Sequence, residues 1–136
     1  MSSITSTNEF VTDTMGLILW FEHRKMPVNV KSLFQSAEEG QATIHIPTIV
    51  FAELLYLSEK GRIGVDLTTA NTYLKQSPHF KEYPLNLAVI QAASEITDIP
   101  ELHDRLIAAT AYLLNLPLIS NDPVIQTSTF VQTRWA

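Results

Sequence analysis

Apolar positions along the chain switch repeatedly between short strand-like runs and stripes with helical spacing. Phe10–Thr14 reads as a short strand, Met15–His23 as the helix directly after it, and Pro27 breaks the chain. Val30, Leu33, Phe34 and Ala37 make the stripe of a helix over 30–39, which Gly40 stops. Thr43–Ile46 alternates as a strand, and after Pro47 a helix is predicted from Thr48 to Lys60, ended by Gly61. Asp66 or Thr68 caps a helix through Leu74 and Lys75. An edge strand is expected within Phe80–Leu85, because Pro84 cannot donate to a ladder. A helix over Asn86–Ile96, a turn at Asp98–Pro100 and a helix from Glu101 or His103 to about Leu114 follow. Pro117–Ser120 reads as a buried strand and Phe130–Thr133 as the last one.

Strands separated by helices predict an α/β fold: a three-layer α/β/α sandwich on a mostly parallel sheet. Residues 10–136 read as one domain behind a flexible polar segment over 1–9, with no repeat or linker.

Composition narrows the function. Hydrophobic residues make 46% of the chain and charged residues 17%, which suits a packed globule. With no cysteine, disulfides and thiolate-held zinc are excluded. The start lacks a secretory pattern and no apolar run spans a bilayer, so a cytoplasmic protein without membrane attachment is expected. Nine Lys+Arg against 14 Asp+Glu give a charge of −5, which removes a broad basic footprint for nucleic acid. An acidic site that binds cations would offset part of that charge.

Most acids, among them Glu9, Glu22, Glu38, Glu39, Glu59 and Glu82, read as solvated surface. Four do not. Asp13 ends the first strand just before a helix, where open parallel sheets form ligand sites, although taken singly a helix cap is the favoured reading. Glu53 lies in Ile49-Val50-Phe51-Ala52-Glu53-Leu54-Leu55-Tyr56-Leu57, on the stripe of Ile49, Val50 and Leu57. A buried carboxylate there needs a cation or a basic partner, such as Arg62 or Arg105. Asp104 opens a helix on the face of Ile107, Ala108 and Ala111, and taken singly it is a cap. Asp122, in Asn121-Asp122-Pro123, is sufficiently explained as a turn. Together, however, a parallel sheet could bring all four to one edge, where crowded carboxylates call for a cation. Oxygen ligands favour Mg²⁺ or Mn²⁺.

Other chemistries lack their motifs. His23, His45, His79 and His103 show no zinc spacing, although His103 adjoins Asp104. There is no phosphate-binding glycine loop and no nucleophile elbow. A phospho-acceptor domain needs an acidic pair after its first strand, which Thr12-Asp13 does not provide. Phe10, Trp20, Phe21 and Phe34 read as core or interface rather than as a base-stacking platform.

Four stretches carry a resemblance. They are Val11-Thr12-Asp13-Thr14, Pro47 to Leu54, His103 to Ala111, and Leu118-Ile119-Ser120-Asn121-Asp122. In this order, from about Phe10 to Trp135, the chain resembles the PIN-domain family, in particular the VapC-type toxins of toxin–antitoxin pairs. The resemblance implies an endoribonuclease, commonly homodimeric and inhibited by a cognate antitoxin that covers its active site. The family's acidic quartet falls on Asp13, Glu53, Asp104 and Asp122, as catalytic residues and as ligands of Mg²⁺ or Mn²⁺. Its supporting hydroxyl falls on Ser120. Where the family usually carries Ser or Thr two residues after its first Asp, this chain has Met15, and Thr14 is the substitute hydroxyl. Arg105 is expected to neutralise a neighbouring carboxylate or contact phosphate. The alternative is a non-catalytic module of the same fold that binds RNA or protein.

Overall fold

Burial on both faces is what makes the first strand apolar throughout. In the computed structural model, which describes residues 8–136, β1 (Glu9–Thr12) has Phe10, Val11 and Thr12 all buried. The flexible segment expected over 1–9 lies, for residues 1–7, outside the described residues, and Glu9 already belongs to the strand. The chain continues through α1 (Thr14–Phe21), α2 (Val28–Glu38), β2 (Thr43–Pro47), α3 (Thr48–Glu59) and α4 (Leu67–Gln76). Then come β3 (Phe80–Tyr83), α5 (Leu87–Glu95), α6 (Leu102–Leu114), β4 (Leu118–Ile119), α7 (Pro123–Gln126) and β5 (Thr133–Arg134).

The five strands form one sheet in the order β3-β2-β1-β4-β5, and every pairing is parallel. With the helices it makes the expected three-layer α/β/α sandwich. The chain builds outward from β1 through β2 to β3, then returns to the other side of β1 for β4 and β5. The carboxyl ends of β1 and β4 therefore flank the point where strand order reverses, and a crevice opens there. Val11 pairs with Leu118 and Thr12 with Ile119, and the Asp13 N–H continues the ladder to the Ile119 carbonyl at 3.1 Å.

Several local signals act as expected. Gly40 and Gly61 follow α2 and α3 at φ 80° and 69°, a conformation that side chains with a Cβ rarely adopt. Asp66 caps α4 by accepting from Thr69 N at 2.8 Å, Asn86 caps α5 from Val89 N at 3.1 Å, and Glu101 caps α6 from Asp104 N at 2.8 Å.

Three differences have physical causes. Asn121-Asp122-Pro123 is a helix start rather than a free turn: Asp122 caps α7 and Pro123 takes the first helical position, where its missing N–H costs nothing. The last strand is Thr133–Arg134, beyond the expected Phe130–Thr133. Phe130 instead meets the Tyr112 ring edge-on at 5.9 Å, and its N–H is held by Ser128 Oγ. Third, Glu22 is more than solvated surface, since its Oε2 accepts from Gly64 N at 2.5 Å and Val65 N at 3.0 Å and ties α1 to the α3–α4 loop.

Of the aromatic residues expected as core or interface, Phe10 and Phe34 are buried in the core, and Trp20 and Phe21 are partly buried against it. Trp20 stacks on Phe34 at 5.5 Å, Phe34 lies 6.3 Å from Phe80, and Tyr73 meets both Phe21 and Phe80 edge-on. Among the described residues, no helix is long and apolar enough to cross a membrane.

Candidate active site

Asp13 leaves β1 with extended backbone and caps α1, its Oδ1 accepting from Gly16 N at 2.8 Å. This close fit depends on the glycine. A Cβ at Gly16 would stand 2.7 Å from Thr12 Oγ1, 3.1 Å from Asp13 Oδ1 and 3.4 Å from Ile119 Cγ2. Asp122 leaves β4 in the same way, its Oδ1 accepting from Val124 N at 2.8 Å and Ile125 N at 3.3 Å. Its own N–H donates to Ser120 Oγ at 3.1 Å, and Ser120 is fully buried. Helix caps and site residues are thus the same side chains at 13 and 122.

Glu53 comes from the middle of α3 and Asp104 from the first turn of α6. All four carboxylates line one cavity of about 830 Å³, together with Thr14, Met15, His103 and Asn121. Apolar atoms of Ile49, Leu57 and Ile107 form much of the remaining wall, and among the described residues no Lys or Arg lines it. The burial expected of Glu53 is incomplete: it is half-buried and faces the cavity, because α3 turns this side to the crevice and buries Val50 and Leu54 instead. Its Oε1 accepts from the buried Thr14 hydroxyl.

Charge is stored unfavourably here. Burial raises the Asp13 carboxyl to about 6, helped by the charges of Asp122 and Asp104 and opposed by hydrogen bonds from Gly16 and Ser120. Asp104 is likewise raised to about 6, first by burial and then by Asp122, Glu101 and Glu53, with His103 opposing. Arg105 does not relieve either. Its Nε donates to the Ile99 carbonyl at 2.9 Å and its Nη2 to Pro100 at 3.1 Å, so the neutralising contact expected of it is absent. Neither Arg62 nor Arg105 pairs with Glu53 among the described salt bridges.

Among the described residues, no three His, Cys, Asp or Glu side chains are gathered so as to hold one ion. Asp13 and Asp122 each turn Oδ1 to the helix they cap, and Glu53 accepts from the Thr14 hydroxyl. The donor chemistry nevertheless suits a hard divalent cation. Four carboxylates share one wall, burial and neighbouring charge raise two of them to about 6, and among the described residues no Lys or Arg lines the cavity.

The family model described as PIN domain matches residues 10–128. The chain belongs to the PIN-domain family. Solved structures agree on the PIN fold. VapBC2 from Rickettsia felis, bound to a DNA fragment from their promoter, aligns with a TM-score of 0.69 at 17% identity, covering 94% of this chain and 99% of that one. FitAcB from Neisseria gonorrhoeae aligns at 0.67 and 19%, covering 91% and 95%. A toxin–antitoxin complex from Klebsiella pneumoniae aligns at 0.59 and 19%, covering 91% and 92%. No curated protein matches the chain in sequence.

Sequence reasoning overlooked two features of this PIN domain's site. Gly16 carries a readable signal, a small residue one turn into the helix that follows a strand-end Asp. Tyr56 lies three residues after Glu53, hence on the same face of α3, and it also lines the cavity.

Proposed function

We propose that this PIN domain is a Mg²⁺- or Mn²⁺-dependent endoribonuclease, the toxin of a type II toxin–antitoxin pair. The observation that carries this reading is the meeting of Asp13, Glu53, Asp104 and Asp122, from four different elements, in one cavity at the strand-order reversal. Toxin–antitoxin assemblies of the same fold support the antitoxin partner. A homodimer follows from the same family reading.

Asp13, Asp104 and Asp122 would be the principal ligands, with Glu53 binding a second ion or positioning the attacking water. A bound divalent ion supplies an activated water and offsets charge on the scissile phosphate. The chain's own residues prepare that chemistry. The Gly16 N–H fixes the Asp13 carboxyl, the Ser120 hydroxyl holds the Asp122 backbone, and Thr14 orients Glu53. Thr14 thereby does at position 14 what the family's hydroxyl, replaced here by Met15, does one residue later.

A non-catalytic binding module is the second reading, favoured by Met15 and by the large apolar share of the cavity wall. Purified protein incubated with a mixed RNA pool in Mg²⁺, Mn²⁺ or EDTA, beside Asp104→Asn and Asp13→Ala, separates the two. Metal-requiring cleavage that disappears in both variants is the expected result. A folded Asp104→Asn protein that cleaves at the wild-type rate overturns the assignment.

A further inference from the structure

The cavity that holds the four acids has an unusual rim. Tyr56 is a large apolar side chain that is 54% exposed, on an element whose other face is packed in the core. It stands one turn beyond Glu53, so ring and carboxylate line the same cavity. One turn further on, at the end of α3, Lys60 places its Nζ 5.5 Å from the centroid of the Tyr56 ring. Among the described residues the cavity wall carries four carboxylates and the His103 imidazole but no Lys or Arg, and Lys60 stands beside it over the Tyr56 ring.

An exposed aromatic ring beside a lysine, next to an acidic cavity, matches the two parts of a single strand of nucleic acid. Bases stack on aromatic faces without regard to sequence, and phosphates seek ammonium groups. We propose that Tyr56 and Lys60 form a docking subsite for single-stranded RNA, with the ring stacking on a base near the scissile phosphate and Lys60 facing a neighbouring phosphate. This rests on the ribonuclease reading above and names the form of RNA that the cavity accepts. The subsite also places an attraction for a polyanion at the rim, apart from the four acids of the wall.

The test reads binding, not cleavage. In the non-cleaving Asp104→Asn background, fluorescence anisotropy follows a labelled mixed-sequence 12-nucleotide RNA and an abasic phosphodiester strand of equal length. Tyr56→Ala should weaken RNA binding at least about fivefold and leave the abasic strand unchanged, and Tyr56→Phe should restore binding to within twofold. Lys60→Gln should weaken both strands and lower the slope of log affinity against log salt by about 0.7, a slope that Tyr56→Ala leaves alone. Equal losses on both strands for Tyr56→Ala, or wild-type binding by it, overturn the proposal. So does a cavity that binds an apolar peptide and excludes the RNA. If metal-dependent cleavage is absent while Tyr56→Ala still discriminates the strands, the docking subsite stands and the nuclease reading fails.

Discussion

Replacing Asp13 with Asn should make the metal-free protein more stable, although it removes a residue assigned to the reaction. Asp13 is 7% exposed, and its carboxyl is raised from 3.8 to about 6 by burial and by Asp122 and Asp104. A group whose folded pKa exceeds its unfolded value is protonated more readily in the folded state. Stability therefore rises as pH falls from about 6 toward 4, and above about 6 the folded state carries the full cost of the buried charge. At 1.36 kcal/mol per pH unit that cost approaches about 3 kcal/mol. Asn matches Asp in shape, keeps an oxygen for the Gly16 N–H and loses only the charge. Urea unfolding in EDTA at pH 7.5 should show Asp13→Asn more stable by about 1–3 kcal/mol, the lower figure allowing for relaxation of the open side of the cavity. That gain should shrink toward zero at pH 4. Excess Mg²⁺ should stabilise the wild type and narrow the gap, because a ligand at a hundredfold its Kd adds about 2.7 kcal/mol. If Asp13→Asn is less stable than wild type at pH 7.5, or the difference ignores pH, the picture of a charge held under repulsion is wrong.

Two further substitutions probe the frame around the site. Gly16→Ala should cost about 1–3 kcal/mol in urea unfolding despite alanine's better helix propensity, because its Cβ meets Thr12 Oγ1 at 2.7 Å; it should also lower cleavage by displacing Asp13. Burial tends to raise the Glu22 carboxyl, but hydrogen bonds from Gly64 and Val65 and the charge of Arg24 outweigh it and hold the group below its usual 4.5. Its contribution is thus present at neutral pH and lost as pH falls through that lowered value. Glu22→Gln should cost roughly 1 kcal/mol at pH 7, and the variant and wild-type melting curves should converge in acid.

How much was readable follows from what each residue answers to. Phe10 to Thr12, the Phe34 stripe and Gly40 obey local rules of period and backbone freedom, so their elements could be placed from the sequence. Asp122 followed by Pro123 satisfied turn and helix-start chemistry equally well, and only the four-residue length of α7 decides, which leaves no period to detect. Glu53 sits among apolar neighbours in sequence, but which side of α3 meets the crevice depends on α1 and α6 packing beside it. Arg105 could be placed near Asp104 by spacing, whereas its choice of the Ile99 and Pro100 carbonyls is a tertiary outcome. Tyr56 shares a helical face with Glu53 by arithmetic, and its role at the rim emerges only once the cavity has walls.

The double duty of Asp13 and Asp122 has an evolutionary side. Each commits one oxygen to starting a helix, so selection for a folded α1 and α7 acts on these positions whatever chemistry the cavity performs. A descendant that abandoned the reaction would still favour a capping residue at 13 and 122. Glu53 and Asp104 cap no helix; Asp104 keeps only the modest preference of a first helical turn for an acid, and Glu53 answers to the Thr14 hydroxyl and the cavity. Among copies of this domain, the pair at 53 and 104 is where a working site and a retired one part company.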